Sequence, residues 1–386
     1  MTRYWTINGR FLSQPVTGVQ RYAREIVVAL DQLMAQSHPL TRDLEIEIVG
    51  PPGMAQDLAL EKIGQRVAGR GSGYVWEQVE LPRHTRGGLL SLCNVGPLVA
   101  KRHVLCIHDV NTFLAPESYS WKFRALYRYL LPALGSMVSR VATVSRFSAD
   151  QLARFGIAPE SKITVIPNGH EHAMRWGDRH SEKTRAVGGD NTIVVIGSPA
   201  PHKNVAMILG LAQDLAAHGL RFAVVGSLDA KVFNSSQVDS AAGNVYWLGR
   251  LTDGEIGALL NDCLCLAFPS LTEGFGLPAL EAMAVGCPIV VSDRASLPEI
   301  CADAALYASP NDPKRWLAHF LELKKNSGLR DELRQRGGEA ATRYSWSKSA
   351  ALYLEVLAAI DSVRQAAPGS SPVLRGGAAS GVRGAA

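Results

Sequence analysis

Pro269-Ser-Leu-Thr-Glu273-Gly-Phe-Gly276-Leu-Pro278-Ala-Leu-Glu281-Ala-Met-Ala-Val-Gly286-Cys-Pro288 is the stretch whose reading decides the fold. It follows the apolar run Leu264 to Phe268, which reads as a buried strand stopped by Pro269. Gly274 and Gly276 admit backbone angles closed to other residues. Pro278 suits the first turn of a helix, where its missing N–H leaves nothing unpaired. The spacing therefore predicts a strand, a glycine turn and a helix that starts near Pro278 with free N–H groups aimed at the turn. Such a helix end attracts an anion. Glu273 and Glu281 flank it, and two carboxylates beside an anion site call for a ligand rich in hydroxyls. The residues thus point to a nucleotide-sugar site, with phosphate on the amides and the carboxylates on hydroxyls. A bland alternative for Glu281 alone is a first-turn acid favoured by the helix dipole. It leaves Glu273 unexplained.

Working outward, the same alternation recurs. Arg3 to Asn8, Leu44 to Val49, Leu89 to Cys93, Val104 to His108, Val141 to Val144 and Ile163 to Ile166 read as strands. Helical periodicity fills residues from Gly18, 120–139 and 147–155. After the polar, patternless region His170 to Asp190, the pattern resumes. Strands are predicted at Thr192 to Ile196, Arg221 to Val225, Val245 to Leu248, Ile289 to Ser292 and Ala304 to Tyr307, with helices from Asn204 and over 253–261. Two doubly wound α/β domains follow, 1–170 and 171–345, with ligands at the carboxyl ends of the strands. Tyr353, Leu354, Leu357 and Ile360 share one face of a late helix, 346–366. Residues 367–386 turn to Gly, Ser, Ala and Pro, the composition of a disordered tail. Gly69-Arg-Gly-Ser-Gly73 follows no convincing strand and reads as a flexible loop.

The 386 residues exceed one core, which agrees with two domains. No hydrophobic run is long enough for a bilayer and no leader is evident, so a cytoplasmic protein is expected. Six cysteines lie mostly in apolar runs without a CxxC pair, the pattern of buried reduced thiols rather than zinc or disulfides. The net charge of +5 is uneven, with 19 Lys and Arg against 13 acidic residues in 1–170. That excess suits an anionic partner such as a membrane surface or a phosphate-bearing acceptor, or is simply a solvated surface; nucleic acid is not expected. Trp121-Lys-Phe-Arg-Ala-Leu-Tyr-Arg-Tyr129 likewise reads either as a helix lying against the inner face of the membrane or as an ordinary amphipathic helix.

Glu273 and Glu281, separated by seven residues, resemble the paired glutamates of glycosyltransferase family 4. Four further segments carry the resemblance in the family's order: Thr143-Val-Ser-Arg-Phe-Ser148, Val165-Ile-Pro-Asn-Gly169, Gly197-Ser-Pro-Ala-Pro-His-Lys-Asn204 and Leu297-Pro-Glu-Ile300. It runs from about Gly18 to Tyr307. It implies a GT-B fold, two Rossmann-like domains facing a cleft, and retaining transfer of a hexose from a nucleoside-diphosphate sugar. By resemblance Glu281 holds the ribose hydroxyls and Glu273 lies near the transferred sugar. Phe275, Gly276 and Leu277 offer amides to the diphosphate, Lys203 stabilises the leaving group, and Gly18 lets the N-domain backbone approach. His108 lies in the cleft near the donor sugar or acceptor. The bland alternative for Lys203 is a surface cation, and for Gly18 a permissive turn residue. For His108 it is a core histidine. No metal or other cofactor is implied.

One departure stands out. At the position where relatives most often place an arginine to partner the lysine, this chain has Ser198. His202 and Arg250 are the substitutes the sequence offers. Thr17-Gly-Val-Gln-Arg-Tyr22 and the overall pattern resemble bacterial polysaccharide mannosyltransferases, which favours GDP-mannose as donor and a glycan or lipid-linked acceptor. UDP-glucose and dTDP-rhamnose are the next donors. A nucleotide-sugar epimerase and a catalytically silent sugar-binding subunit are the alternative functions.

Overall fold

The alternation of short apolar runs with helical segments builds two parallel sheets in a computed structural model that describes residues 2–100, 102–226 and 243–366. The first sheet contains β1 (Arg3–Asn8), β2 (Leu44–Gly50), β3 (Gly64–Val67), β4 (Gly88–Ser91), β5 (His103–Cys106), β6 (Arg140–Thr143) and β7 (Ile163–Val165). Its order is β3-β2-β1-β4-β5-β6-β7. The second contains β8 (Thr192–Ile196), β9 (Arg221–Val225), β10 (Val245–Gly249), β11 (Cys265–Phe268), β12 (Ile289–Ser292) and β13 (Leu306–Ala308), in the order β10-β9-β8-β11-β12-β13. Every pairing is parallel. Strands such as β4, β5, β11 and β12 are buried at every position, because helices cover both faces of a parallel sheet.

Both orders reverse direction at one place, between β1 and β4 in the first sheet and between β8 and β11 in the second. Loops leaving the carboxyl ends of two strands diverge there and open a crevice. The loop after β11 is Pro269 to Gly276, and the loop after β8 carries Gly197 to Lys203. The two segments singled out in the sequence are therefore neighbours at the switch point of the second sheet.

β3 was not legible as a strand. It is a mostly exposed edge strand of polar sequence, Gly-Gln-Arg-Val, so it offers no apolar run. The glycine-rich loop beyond it is also not free. Arg70 N and Gly71 N donate to the Glu80 carboxylate at 2.7 and 3.0 Å. Its amides do bind an anion, but one supplied by the chain itself.

The chain crosses between the sheets twice, and the two crossings are fastened together. His170 N and Nδ1 both reach the Tyr344 carbonyl, at 3.2 and 2.6 Å. Glu171 accepts from Ser345 Oγ at 2.5 Å and from Trp346 N at 3.0 Å, so it caps the helix Trp346–Ala366. That helix packs along Gly18–Ala35. Its buried Asp361 accepts from Arg3 Nε at 2.6 Å and Trp5 Nε1 at 3.2 Å and pairs with Arg102. A single apolar cluster runs from Trp5 and Ile7 through Tyr22, Phe275 and Leu277 to Tyr353 and Leu357, linking both sheets and the last helix. The tail expected from residue 367 lies outside the described residues.

Gly169 is the tightest point of the crossing, since a Cβ there would stand 2.2 Å from Trp346 N. Gly169→Ala should cost about 1–3 kcal/mol, read as a lower urea midpoint at unchanged slope. Glu171 gives a pH signature. Burial alone would raise its carboxyl, but the Ser345 hydroxyl and the Trp346 N–H outweigh it and hold the pKa below 4.5. A depressed folded pKa stabilises fully above the unfolded value, and the stabilisation fades as pH falls through the folded one. Wild-type stability should therefore decline more steeply below about pH 4.5 than that of Glu171→Gln.

Candidate active site

The helix Leu277–Ala284 begins where the sequence places it, with Pro278 in its first turn and Gly276 at φ 95° as its N-terminal cap. A Cβ on Gly276 would also meet Leu297 at 2.6 Å, so only glycine serves both needs. The first N–H groups of this helix open into a cavity of about 620 Å³ between the two sheets. That volume suits a ligand of nucleotide size. Gly18, His108, Lys203, Arg250, Glu273, Phe275, Gly276, Leu277 and Glu281 all line it.

His202 does not. It is buried, stacks on Tyr119 at 6.2 Å, and has no described partner at Nδ1. Burial, followed by the neighbouring Lys203 charge, lowers its pKa and favours the neutral ring. The structure therefore argues against His202 as a second cation. Arg250 lines the cavity and has no ion-pair partner among the described residues.

Lys203 Nζ lies 2.7 Å from Glu273 Oε1, which also accepts from Ser270 Oγ at 2.6 Å. Asp109 completes a charged group around them. Burial pushes its carboxyl above the usual range, against the Asn111 N–H, and the Glu273 charge adds to the rise. His108 is fixed by its neighbours. Its backbone N–H donates to Asn94 Oδ1 at 2.7 Å, and Nε2–H donates to the Leu92 carbonyl at 2.9 Å. In the neutral ring that bond places the proton on Nε2 and leaves Nδ1 as the lone pair.

The two halves of the cavity touch at Gly274. Its carbonyl accepts from Ser145 Oγ at 2.6 Å and Ser148 Oγ at 3.0 Å, across the boundary between the sheets. A Cβ at Gly274 would stand 2.4 Å from the His108 carbonyl. Glu299 reaches across in the other direction and accepts from Arg146 N and Phe147 N at 2.9 and 3.1 Å, the first amides of the helix Arg146–Arg154. Two of the segments quoted from the sequence, 143–148 and 297–300, thus meet at this contact.

Gly18 answers a question the sequence left open. Its φ is not positive, and an added Cβ would meet only Leu277 Cδ2 at 3.9 Å. Neither the turn nor the protein's own packing requires glycine there. The space it preserves belongs to the cavity.

Several residues at the site have no role that the sequence alone assigns. Arg21, on the helix that Gly18 opens, pairs with Asp253 at 2.6 Å and stands 3.8 Å from Glu281. Its guanidinium lies over Trp176, whose indole N–H is buried without a described partner. His172 Nε2 lies 2.8 Å from Glu281 Oε1. Trp176 and His172 sit in the polar region that shows no periodicity.

Known proteins resemble this chain over most of its length. The family described as "Glycosyltransferase Family 4" matches residues 84–173, and "Glycosyl transferases group 1" matches 178–343. The chain thus carries two glycosyltransferase domains, one after the other. It is similar to the O-antigen chain mannosyltransferase B of Escherichia coli, 29% identical over 263 residues that cover 64% of this chain and 67% of that one. It is also similar to the O-antigen chain mannosyltransferase RfbU of Salmonella typhimurium, 28% identical over 58% of this chain and 62% of the relative. Among solved structures, WaaG, a glycosyltransferase involved in lipopolysaccharide biosynthesis, superposes with a TM-score of 0.66 at 15% identity, covering 92% of this chain and 99% of that one. Anabaena HepE in complex with UDP and glucose gives 0.67 at 16%, covering 92% and 99%. Both share the GT-B architecture of two Rossmann-like domains.

Adding a methyl at Gly274 should force the two loops apart. Gly274→Ala is expected to lower the rate of sugar transfer at least tenfold while the protein stays folded by circular dichroism. An unchanged rate would mean that the cleft works without this contact.

Proposed function

We propose that this protein is a retaining glycosyltransferase that moves a hexose from a nucleoside-diphosphate sugar, GDP-mannose in the first instance, to a glycan or lipid-linked acceptor in cell-surface polysaccharide synthesis. The observation that carries the reading is one cavity holding Lys203, the Glu273 and Glu281 carboxylates and the N-terminus of Leu277–Ala284, with Gly18 and His108 facing them. The mannosyltransferase relatives support the lean towards mannose.

In this reading the diphosphate lies on the amides of Phe275 to Leu277 and draws Lys203 away from Glu273. The leaving group gains negative charge as the glycosidic bond breaks, and a fixed cation in a cleft stabilises that charge. Arg250, unpaired among the described residues, is the second cation. Glu281 holds the ribose hydroxyls. Glu273 orients the transferred sugar, and no carboxylate is assigned as nucleophile. Transfer occurs on the front face, with the departing phosphate oxygen taking the acceptor's proton. The charges are met by the chain's own groups, so transfer is expected to continue in EDTA.

A thermal-shift panel of GDP, UDP and dTDP identifies the base, because a ligand of the native state raises the melting temperature. GDP is expected to give the largest shift. Lys203→Ala should lose about 100-fold or more in kcat. Glu281→Ala should raise the donor KM at least tenfold. Transfer at the wild-type rate in both variants would end the assignment. Product formed from donor without acceptor would instead indicate the epimerase.

The acceptor side suits a peripheral position on an anionic membrane. Among the described residues no helix is long and apolar enough to cross one. Yet on the helix Trp121–Met137, Trp121 is 69% and Tyr129 78% exposed, beside the exposed Lys122, Arg124 and Arg128. Rings at the headgroup level with cations alongside favour such a surface. Wild-type protein should sediment with phosphatidylglycerol vesicles, and Trp121→Ala with Tyr129→Ala should weaken this severalfold. Equal sedimentation of both proteins would remove the membrane from the proposal.

A further inference from the structure

Glu281 belongs to the second sheet's domain, but its partners do not. His172 Nε2, from the crossing segment, lies 2.8 Å from Glu281 Oε1. Arg21 Nε, from the first domain, lies 3.8 Å from the same oxygen. Among the described residues none hydrogen-bonds Oε2, and Glu281 lines the cavity.

The His172 ring is itself held. Trp346 Nε1, at the start of the last helix, is 3.1 Å from His172 Nδ1. An indole N–H can only donate, so Nδ1 must accept. The single ring proton of the neutral imidazole then sits on Nε2 and points at Glu281. All three side chains of this chain of bonds are buried. His172 is also clamped by ring contacts, edge-on to Trp176 and tilted against Trp346, each at 5.6 Å. The ring has one orientation and one tautomer open to it.

We propose that His172 is a positioning residue, locked by Trp346, that occupies Glu281 Oε1 and thereby aims Oε2 at the nucleotide ribose. This rests on the reading of Glu281 as the ribose ligand. A carboxylate free to rotate would meet the ribose diol in many orientations, and a hydrogen bond to one oxygen removes that freedom before the ligand arrives. The two interdomain crossings therefore set the ribose site as well as joining the domains. A histidine serving only to fill space would contact Glu281 without its partner being fixed from the far side.

Calorimetric titration of the full-length protein with GDP, UDP and their 2′,3′-dideoxy forms tests this. Wild type should bind the better ribonucleotide at least tenfold more tightly than its dideoxy form. His172→Leu should lose about tenfold of the ribonucleotide affinity, the size expected for one hydrogen bond to a charged group. Its dideoxy affinity should stay within about twofold, which also shows that the variant is folded. Trp346→Phe keeps the packing but drops the N–H; freed, the imidazole can move its proton to Nδ1 and turn a lone pair on Glu281. It should show the same selective loss in smaller measure. His172→Gln restores a donor and should recover most of the ribonucleotide affinity. If wild type does not discriminate the two forms, or binds neither ribonucleotide, the ribose reading fails and this proposal with it. If wild type discriminates but His172→Leu loses both forms equally, or loses neither, the positioning role alone is overturned.

Discussion

The contact at the Gly274 carbonyl is the constraint on which the rest depends. Two serines from one domain converge on a single oxygen of the other, at 2.6 and 3.0 Å. The residue bearing that oxygen has no side chain, so the backbones of both domains meet directly. Every group assigned to the donor is placed relative to this point. Glu273 is its neighbour in sequence, Asp109 and His108 lie against it, and Lys203 reaches Glu273 from the loop after β8. Glu299 adds a second contact of the same polarity, its carboxylate in the second domain accepting from amides of the first. In both contacts the first domain donates and the second accepts, and two separate contacts fix separation and orientation together.

The strand order explains why such a contact can exist. Each sheet reverses its winding once, and each reversal leaves a gap at the carboxyl ends of two strands. Facing the two gaps produces one cavity lined by loops and by the N-terminal ends of the helices that follow them. Loops can differ between relatives without disturbing the sheets. Lys203 and Arg250, on the loops after β8 and β10, thus face one cavity.

Most of the fold was legible because it rests on local patterns. Val194, Phe222 and Leu266 lie in runs whose apolar character follows directly from burial on both faces of a sheet. The Glu273 to Glu281 segment was legible because a turn, a proline and a helix start are adjacent in sequence. What escaped reading was either polar or distant. β3 at the edge has no apolar run. His202 sits beside Lys203 in the chain, yet burial against Tyr119 separates their roles. Arg21 and Asp253 pair across 232 residues, and His172 and Glu281 across 109. No periodicity encodes a contact of that kind. The region 170–190 lacks pattern because its residues answer to partners in four different segments, around Glu25, Asp262, Glu281 and Trp346, rather than to one helix or strand.

The last helix has a consequence for how the molecule comes into being. Asp361 supplies the buried partner of Arg3 and Trp5, 358 and 356 residues earlier in the chain. Until that carboxylate is synthesised, Arg3 keeps only the Leu40 carbonyl, the Trp5 indole N–H lacks its acceptor, and the apolar flank of Gly18–Ala35 lies open to water. The first domain is therefore translated first and completed last. Its maturation waits on the second domain being threaded through, and an arrested nascent chain would hold an exposed apolar face that chaperones are suited to cover.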